Sequence, residues 1–217
     1  MAGLASLPLN PRAARTRAAL LEAGFELLAE RPIDAIAIDD IVARAGVAKG
    51  SFFNHFTDKQ GFAGAIGEAV RLELEDRVGT ANAGVSDPVA RLAGGMREAV
   101  AFALDERERA IVMLRGLELS TGQGHHLNQG IRADIVALIA AGLARPEAER
   151  SGVRFWLGLC QIAQLNVIER RPSRADAAQR LAEMLVLGLC GLGIGEDRAR
   201  ACAEITAAGL LPRKADR

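Results

Sequence analysis

Apolar residues recur at intervals of three and four along nearly the whole chain, and no stretch keeps the two-residue alternation of a half-buried strand. The first helix is predicted from about Ala13 to Glu30. Leu20, Phe25, Leu27 and Leu28 form its apolar stripe, Glu22, Glu26 and Glu30 its solvated side, and Pro32 ends it. A second helix covers Ile38 to Ala45, with Ile38, Ile41 and Val42 inward and Gly46 just past its end, where a left-handed backbone is cheap. A third starts at Ala48 or Lys49 and ends by Phe56; Thr57 is then expected to cap a fourth helix running to about Gly79. The segment TANAGVSDPV reads as a connector, with Asp87 and Pro88 as an N-cap and first-turn pair. Further helices are expected near 88–105, 107–120, 126–143, 146–170, 174–192 and 196–210, broken at ELSTGQGH, ARPEAE, RRPSRAD and GLGIGED. The predicted fold class is all-α: a flexible leader over 1–11, a small helical module over 12–57, and a larger helical bundle over 58–217.

Composition narrows the function classes more than it selects one. The chain has 217 residues, 50% hydrophobic and 25% charged, which is a globular balance. Lys+Arg and Asp+Glu both number 27, so net charge names no partner; for nucleic acid the placement of the basic groups matters, not their total. The longest apolar stretches, Phe155 to Ile168 and Met184 to Gly195, are too short to span a bilayer, and the start lacks the charged lead of a signal peptide, so no membrane partner is expected. Cys160, Cys190 and Cys202 form no close pair and sit in apolar helical settings, which favours reduced thiols and a cytoplasmic location over a redox-sensing pair. His125 and His126 are adjacent and diverge, so no metal site is expected. The run GLCGLGIG follows a helical pattern, not a strand, and reads as close helix packing and a helix end, not as a dinucleotide loop. No nucleophile–base set converges, so neither an enzyme nor a cofactor is predicted.

The candidate chemistry lies between residues 38 and 59. Two short helices joined by a tight turn at Gly46 are the pattern of a helix-turn-helix, whose second helix presents its outer face to a major groove. Lys49 and Ser51 suit the exposed N-terminal edge of that helix, and Gly50 permits close approach to a phosphate backbone. His55 and Lys59 follow, near the start of the fourth helix, where the dipole favours an anion. Three of the seven phenylalanines fall at Phe52, Phe53 and Phe56. Successive helical residues point about 100° apart, so Phe52 and Phe53 cannot both face inward. Phe52 and Phe56 are the core pair and Phe53 is the outward one.

The run DDIVARAGVAKGSFFNHFTDKQGF resembles the DNA-binding signature of the TetR family of transcriptional regulators, through Ile41, Ala45, Gly46, Val47, Gly50, Ser51, Phe52, His55, Phe56, Lys59 and Phe62. The resemblance covers about residues 15–62. It implies a homodimeric repressor that binds a palindromic double-stranded operator and is released by a small-molecule effector. It assigns DNA contacts to Arg15, Arg17, Arg44, Lys49, Gly50, Ser51, Phe53, Asn54, His55 and Lys59, with Arg12 beside them at the start of the first helix. It also implies a ligand pocket in the bundle, with Met96, Phe102, Met113, Leu117, His126, Trp156 and Gln161 as lining, and a dimer interface on helices 146–170 and 174–192. There, Phe155, Leu159, Ile162, Ala163 and Val167 make one stripe and Leu181, Leu185, Leu189 and Leu192 another, with Gly158, Ala182, Gly188 and Gly191 allowing close approach.

Three positions depart from the pattern. Ala37 stands where the family usually has a hydroxyl N-cap, with Asp39 and Asp40 left to serve that helix end, and Ala48 removes a second capping hydroxyl. Phe53 replaces a tyrosine whose phenol typically reaches a phosphate; phenylalanine keeps the ring and loses the donor. These motivate an alternative: a helical small-molecule-binding or adaptor protein with a weakened DNA-binding module. The plain reading of each ligand-pocket residue is ordinary core.

Overall fold

A computed structural model describes residues 11–116 and 126–211, and every regular element among them is helical. The first five elements are α1 (Pro11–Glu30), a short 3-10 turn (Ile33–Ala35), α2 (Ile38–Ala45), α3 (Lys49–Phe53) and α4 (Lys59–Ala81). They are followed by α5 (Pro88–Asp105), α6 (Arg107–Gly116), a 3-10 turn (His126–Asn128), α7 (Gln129–Ala140), α8 (Ala148–Arg170), α9 (Arg174–Leu192) and α10 (Glu196–Ala208). The chain divides into two compact units: one runs to Ala69 and includes Arg115, and the other begins at Val70. The division therefore falls inside α4, twelve residues beyond the boundary expected at 57/58.

Several boundaries move for local reasons. Among the described residues α1 already includes Pro11, two residues before Ala13. The third helix stops at Phe53, not Phe56. The cap of α4 is Asp58, not Thr57: its carboxylate accepts from the Gly61 amide at 2.7 Å. The segment expected as one helix over 126–143 is a 3-10 turn followed by α7, which ends at Ala140. Residues 1–10 and most of the ELSTGQGH break lie outside the described residues.

The N-terminal unit is pinned by four aromatic rings. Phe52, Phe56 and Phe62 are buried, with centroid separations of 5.6 Å for Phe52–Phe56, 5.2 Å for Phe52–Phe62 and 4.8 Å for Phe56–Phe62. Phe53 meets Phe52 edge-on from outside. A Cβ on Gly24 would stand 2.2 Å from the Phe62 ring, so α1 lies flush against the first turn of α4 only because that position has no side chain. Leu20, Leu27, Leu28, Ile36 and Ile41 complete this core.

In the second unit α5 packs against α7, α8, α9 and α10. Met96, Phe102, Trp156, Leu181, Leu185 and Leu189 are all nearly inaccessible to solvent. Asp87 accepts from the Val89 amide at 3.1 Å, with Pro88 in the first turn, as the sequence predicts. The GLCGLGIG run is a packing and termination device. A Cβ at Gly188 would lie 2.7 Å from Leu159 and 3.0 Å from Trp156, and one at Gly191 would lie 2.8 Å from Phe155. Gly193 ends α9 with φ 109. No described helix is long and apolar enough to cross a membrane.

Candidate nucleic-acid interface

The turn between α2 and α3 is built by Gly46 at φ 66 and ψ 33. Its amide donates to the Ala43 carbonyl at 3.2 Å, and the Val47 amide donates to Val42 at 3.0 Å. That paired closure is a Schellman motif, and it needs a left-handed residue at this one point. Neither Ala37 nor Ala48 makes a side-chain cap, so α2 and α3 both start without one. Asp39 and Asp40 stand in the first turn of α2 and supply the negative charge that its dipole favours.

α3 buries Phe52 completely and leaves Lys49, Gly50, Phe53 and Asn54 exposed, with Ser51 and His55 partly covered. The expected split between Phe52 and Phe53 is thus the observed one. A Cβ on Gly50 would meet nothing within 4 Å. Lys49 is paired with Asp39 at 2.8 Å and Arg44 with Glu26 at 2.7 Å, in both cases across exposed surface. Such pairs are weak and easily exchanged, so both cations can pass to a phosphate. Arg15 is exposed on α1, and Arg17 lies over the Phe56 ring, 5.4 Å from its centroid.

Lys59 is placed differently. Its ammonium donates to the carbonyls of Ile36 at 2.8 Å, Ile33 at 3.2 Å and Asp34 at 3.4 Å. An ammonium has three protons, and three carbonyl oxygens lie within hydrogen-bond distance of it. Gln60 reinforces the tie, donating to the Asp34 carboxylate at 3.1 Å. Lys59 therefore binds the start of α4 to the loop ahead of α2, and a phosphate contact from it requires giving up one of those carbonyls. The sequence reading missed this, and missed Glu26 and Asp39 as holders of the basic groups, because the partners lie 10 to 26 residues away and no periodicity marks them.

One groove of the second unit is formed by residues other than the expected ligand lining. That groove, about 170 Å³, lies between α5, α8 and α9 and is walled by Val100, Ile162, Asn166, Arg180 and Met184 among others. Met96, Phe102, Met113 and Trp156 are buried, and Arg77 stacks over the Phe102 ring at 5.0 Å. Gln161 is partly covered, His126 is exposed, and Leu117 lies outside the described residues. The stripe expected from Phe155 to Val167 divides: Ala163 and Val167 are buried, while Phe155 and Ile162 face solvent at 41% and 58% exposure. Leu165 and Leu187 are exposed too, which leaves an apolar outer face on α8 and α9. Leu187 could have been flagged from its place off the 181/185/189/192 row. The Cys160 thiol on α8 is pushed up to about 12 by burial, against a smaller opposing pull from Arg71.

Known proteins place this arrangement. The family described as "Bacterial regulatory proteins, tetR family" matches residues 20–66, which span the end of α1 through the first third of α4. The HTH-type transcriptional repressor DhaR of Mycobacterium sp. (strain GP1) is 35% identical over 72 residues, 33% of this chain and 36% of that protein. The chain thus matches about a third of the length of that curated relative. A solved regulator of the same family from Shewanella sp. PV-4 superposes with a TM-score of 0.71 at 17% identity, covering 83% of this chain and 99% of its own. RolR, solved with resorcinol bound, gives 0.61 at 21% identity, covering 88% and 94%. At these identities the two structures speak for the fold.

Proposed function

We propose that this chain, a member of the TetR family of helix-turn-helix transcriptional regulators, acts as a homodimeric repressor that a small-molecule effector releases from its operator. The observation that carries the reading is α3: anchored by a wholly buried Phe52, it holds Lys49, Gly50, Phe53 and Asn54 in the open behind the Gly46 turn. That helix enters the major groove. Arg15, Arg17, Arg44, Lys49, Ser51 and His55 supply phosphate contacts around it. A palindromic operator requires a two-fold protein, and the exposed apolar face of Phe155, Ile162, Leu165 and Leu187 on α8 and α9 fits a second copy of itself. Effector bound in the second unit shifts the population toward conformers whose two reading helices no longer match the operator spacing.

The test is direct titration of a labelled duplex carrying the gene's own upstream region, and of duplexes selected from a random pool, across a salt series. Specific binding whose logarithmic affinity falls linearly with logarithmic salt is expected. Absence of salt-dependent binding to either set would overturn the reading. One set of observations favours a second reading, a small-molecule-binding protein with a weakened DNA module: α2 and α3 lack side-chain caps, and Phe53 has no hydroxyl. Under it, Phe53→Tyr converts a non-binder into a binder; under the first, the wild type already binds.

A further inference from the structure

We propose that Phe53 reads a thymine methyl group, which makes it a specificity-determining residue of the operator contact and not a backbone anchor. The inference rests on the reading above that α3 lies in a major groove. Phe53 is the last residue of α3 and is 54% exposed. Its ring stands at 82° to that of Phe52, 5.5 Å away, and Phe52 is held in turn by Phe56 and Phe62. The exposed ring therefore projects from a fixed base. Gly50 precedes it by one helical turn on the same face, and a Cβ there would meet nothing within 4 Å beyond its chain neighbours and the backbone of its own helix. Internal packing gives no reason for that missing side chain. Its effect is outward: the α3 backbone can settle deeper against whatever faces it, carrying the Phe53 ring with it.

The chemistry of the ring then selects its target. A phenyl group donates no hydrogen bond, so against a phosphate it displaces water from charged oxygens and returns nothing. Base edges in the major groove are donors and acceptors, apart from the C5–H of cytosine and the larger C5-methyl of thymine. An exposed apolar ring at the reading surface is complementary to that methyl group and to little else in the groove.

The experiment uses the full chain and its selected operator, with each thymine replaced by deoxyuridine, one symmetry-related pair at a time. Removing the methyl group that Phe53 covers is expected to weaken binding about fourfold per half-site and roughly fifteenfold per pair, the value of a methyl-sized group returned to water. In Phe53→Ser the thymine and deoxyuridine operators are expected to bind equally, while other base changes keep their effects. A second measurement does not depend on any variant binding. With 5-iodo-deoxyuridine at the same position, near-ultraviolet crosslinking followed by mass spectrometry is expected to label Phe53. A deoxyuridine series that is flat at every position, a methyl effect that survives in Phe53→Ser, or a crosslink mapped to another residue would overturn the proposal while leaving groove binding intact. Failure of the wild type to select any duplex would instead remove the reading beneath it.

Discussion

Replacing Lys59 with methionine separates two roles for this residue. Methionine keeps most of the apolar stem and removes the ammonium, which the carbonyls of Ile36, Ile33 and Asp34 share at 2.8, 3.2 and 3.4 Å. A hydrogen bond to a charged group contributes about 1.5–3 kcal/mol net. The 3.2 and 3.4 Å contacts are long and the side chain is only partly covered, so water replaces most of what those two contribute. The 2.8 Å bond then sets the scale, about 2 kcal/mol for the tie between α4 and the loop before α2. For a chain of this size that corresponds to a fall in Tm of roughly 4–8 °C, readable by circular dichroism. The same variant is then titrated with operator across a salt series. A lysine that neutralises no phosphate leaves the salt slope unchanged, whereas one that does lowers it by about 0.9 per contact, or about 1.8 for a dimer. An unaltered Tm together with a reduced slope would refute the clamp and restore Lys59 to the phosphate contacts.

Three further outcomes follow from the geometry. Gly46→Val forces a branched residue to φ 66 and is expected to destabilise the N-terminal unit by about 1–3 kcal/mol, seen as a lower urea midpoint; an unchanged midpoint would show that the turn relaxes. Gly188→Leu drives carbon into Leu159 and Trp156, where even a Cβ would come within 2.7 and 3.0 Å, and is expected to cost about 1–3 kcal/mol with a shift in the tryptophan emission. The thiol of Cys160, half-buried and with its pKa pushed up to about 12 chiefly by desolvation, carries almost no thiolate at neutral pH; in native protein iodoacetamide at pH 8 is expected to label it much more slowly than after unfolding, as mass spectrometry can follow. Labelling of native Cys160 at the rate of a free thiol would contradict its raised pKa.

What the sequence disclosed was local. Gly46, the Asp87–Pro88 start of α5, and α9 from Arg174 to Leu192 were legible because each is written in a handful of adjacent residues. The opposed fates of Phe52 and Phe53 followed from helical angle alone. The cap of α4 was missed by one position because Thr57 and Asp58 can both accept an amide, and only the observed helix start chooses between them. The ties of Lys59 were hidden for a different reason: a lysine at a helix start reads as a free cation until the fold brings three carbonyls to it. Periodicity marked Phe155 and Ile162 as apolar but could not say what covers them, since a stripe facing a partner and a stripe facing the core look alike. The same limit applies to Met96, Met113 and Trp156, whose burial alone does not separate a pocket wall from packing.

Gly50 has a consequence for how substitutions in this module would be selected. Most positions near it are judged first by whether the protein survives in the cell: a change at Phe52, Gly24 or Phe62 lowers abundance before it alters anything else. Around Gly50 the protein has no atom to offend. A bulky residue there leaves the fold as abundant as before and changes only how near α3 comes to its target. A mutational scan scored once for protein level and once for reporter output would therefore find Gly50 silent in the first and decisive in the second. In the homodimer proposed above, such a subunit in a cell carrying both alleles would still assemble with its wild-type counterpart and disable it.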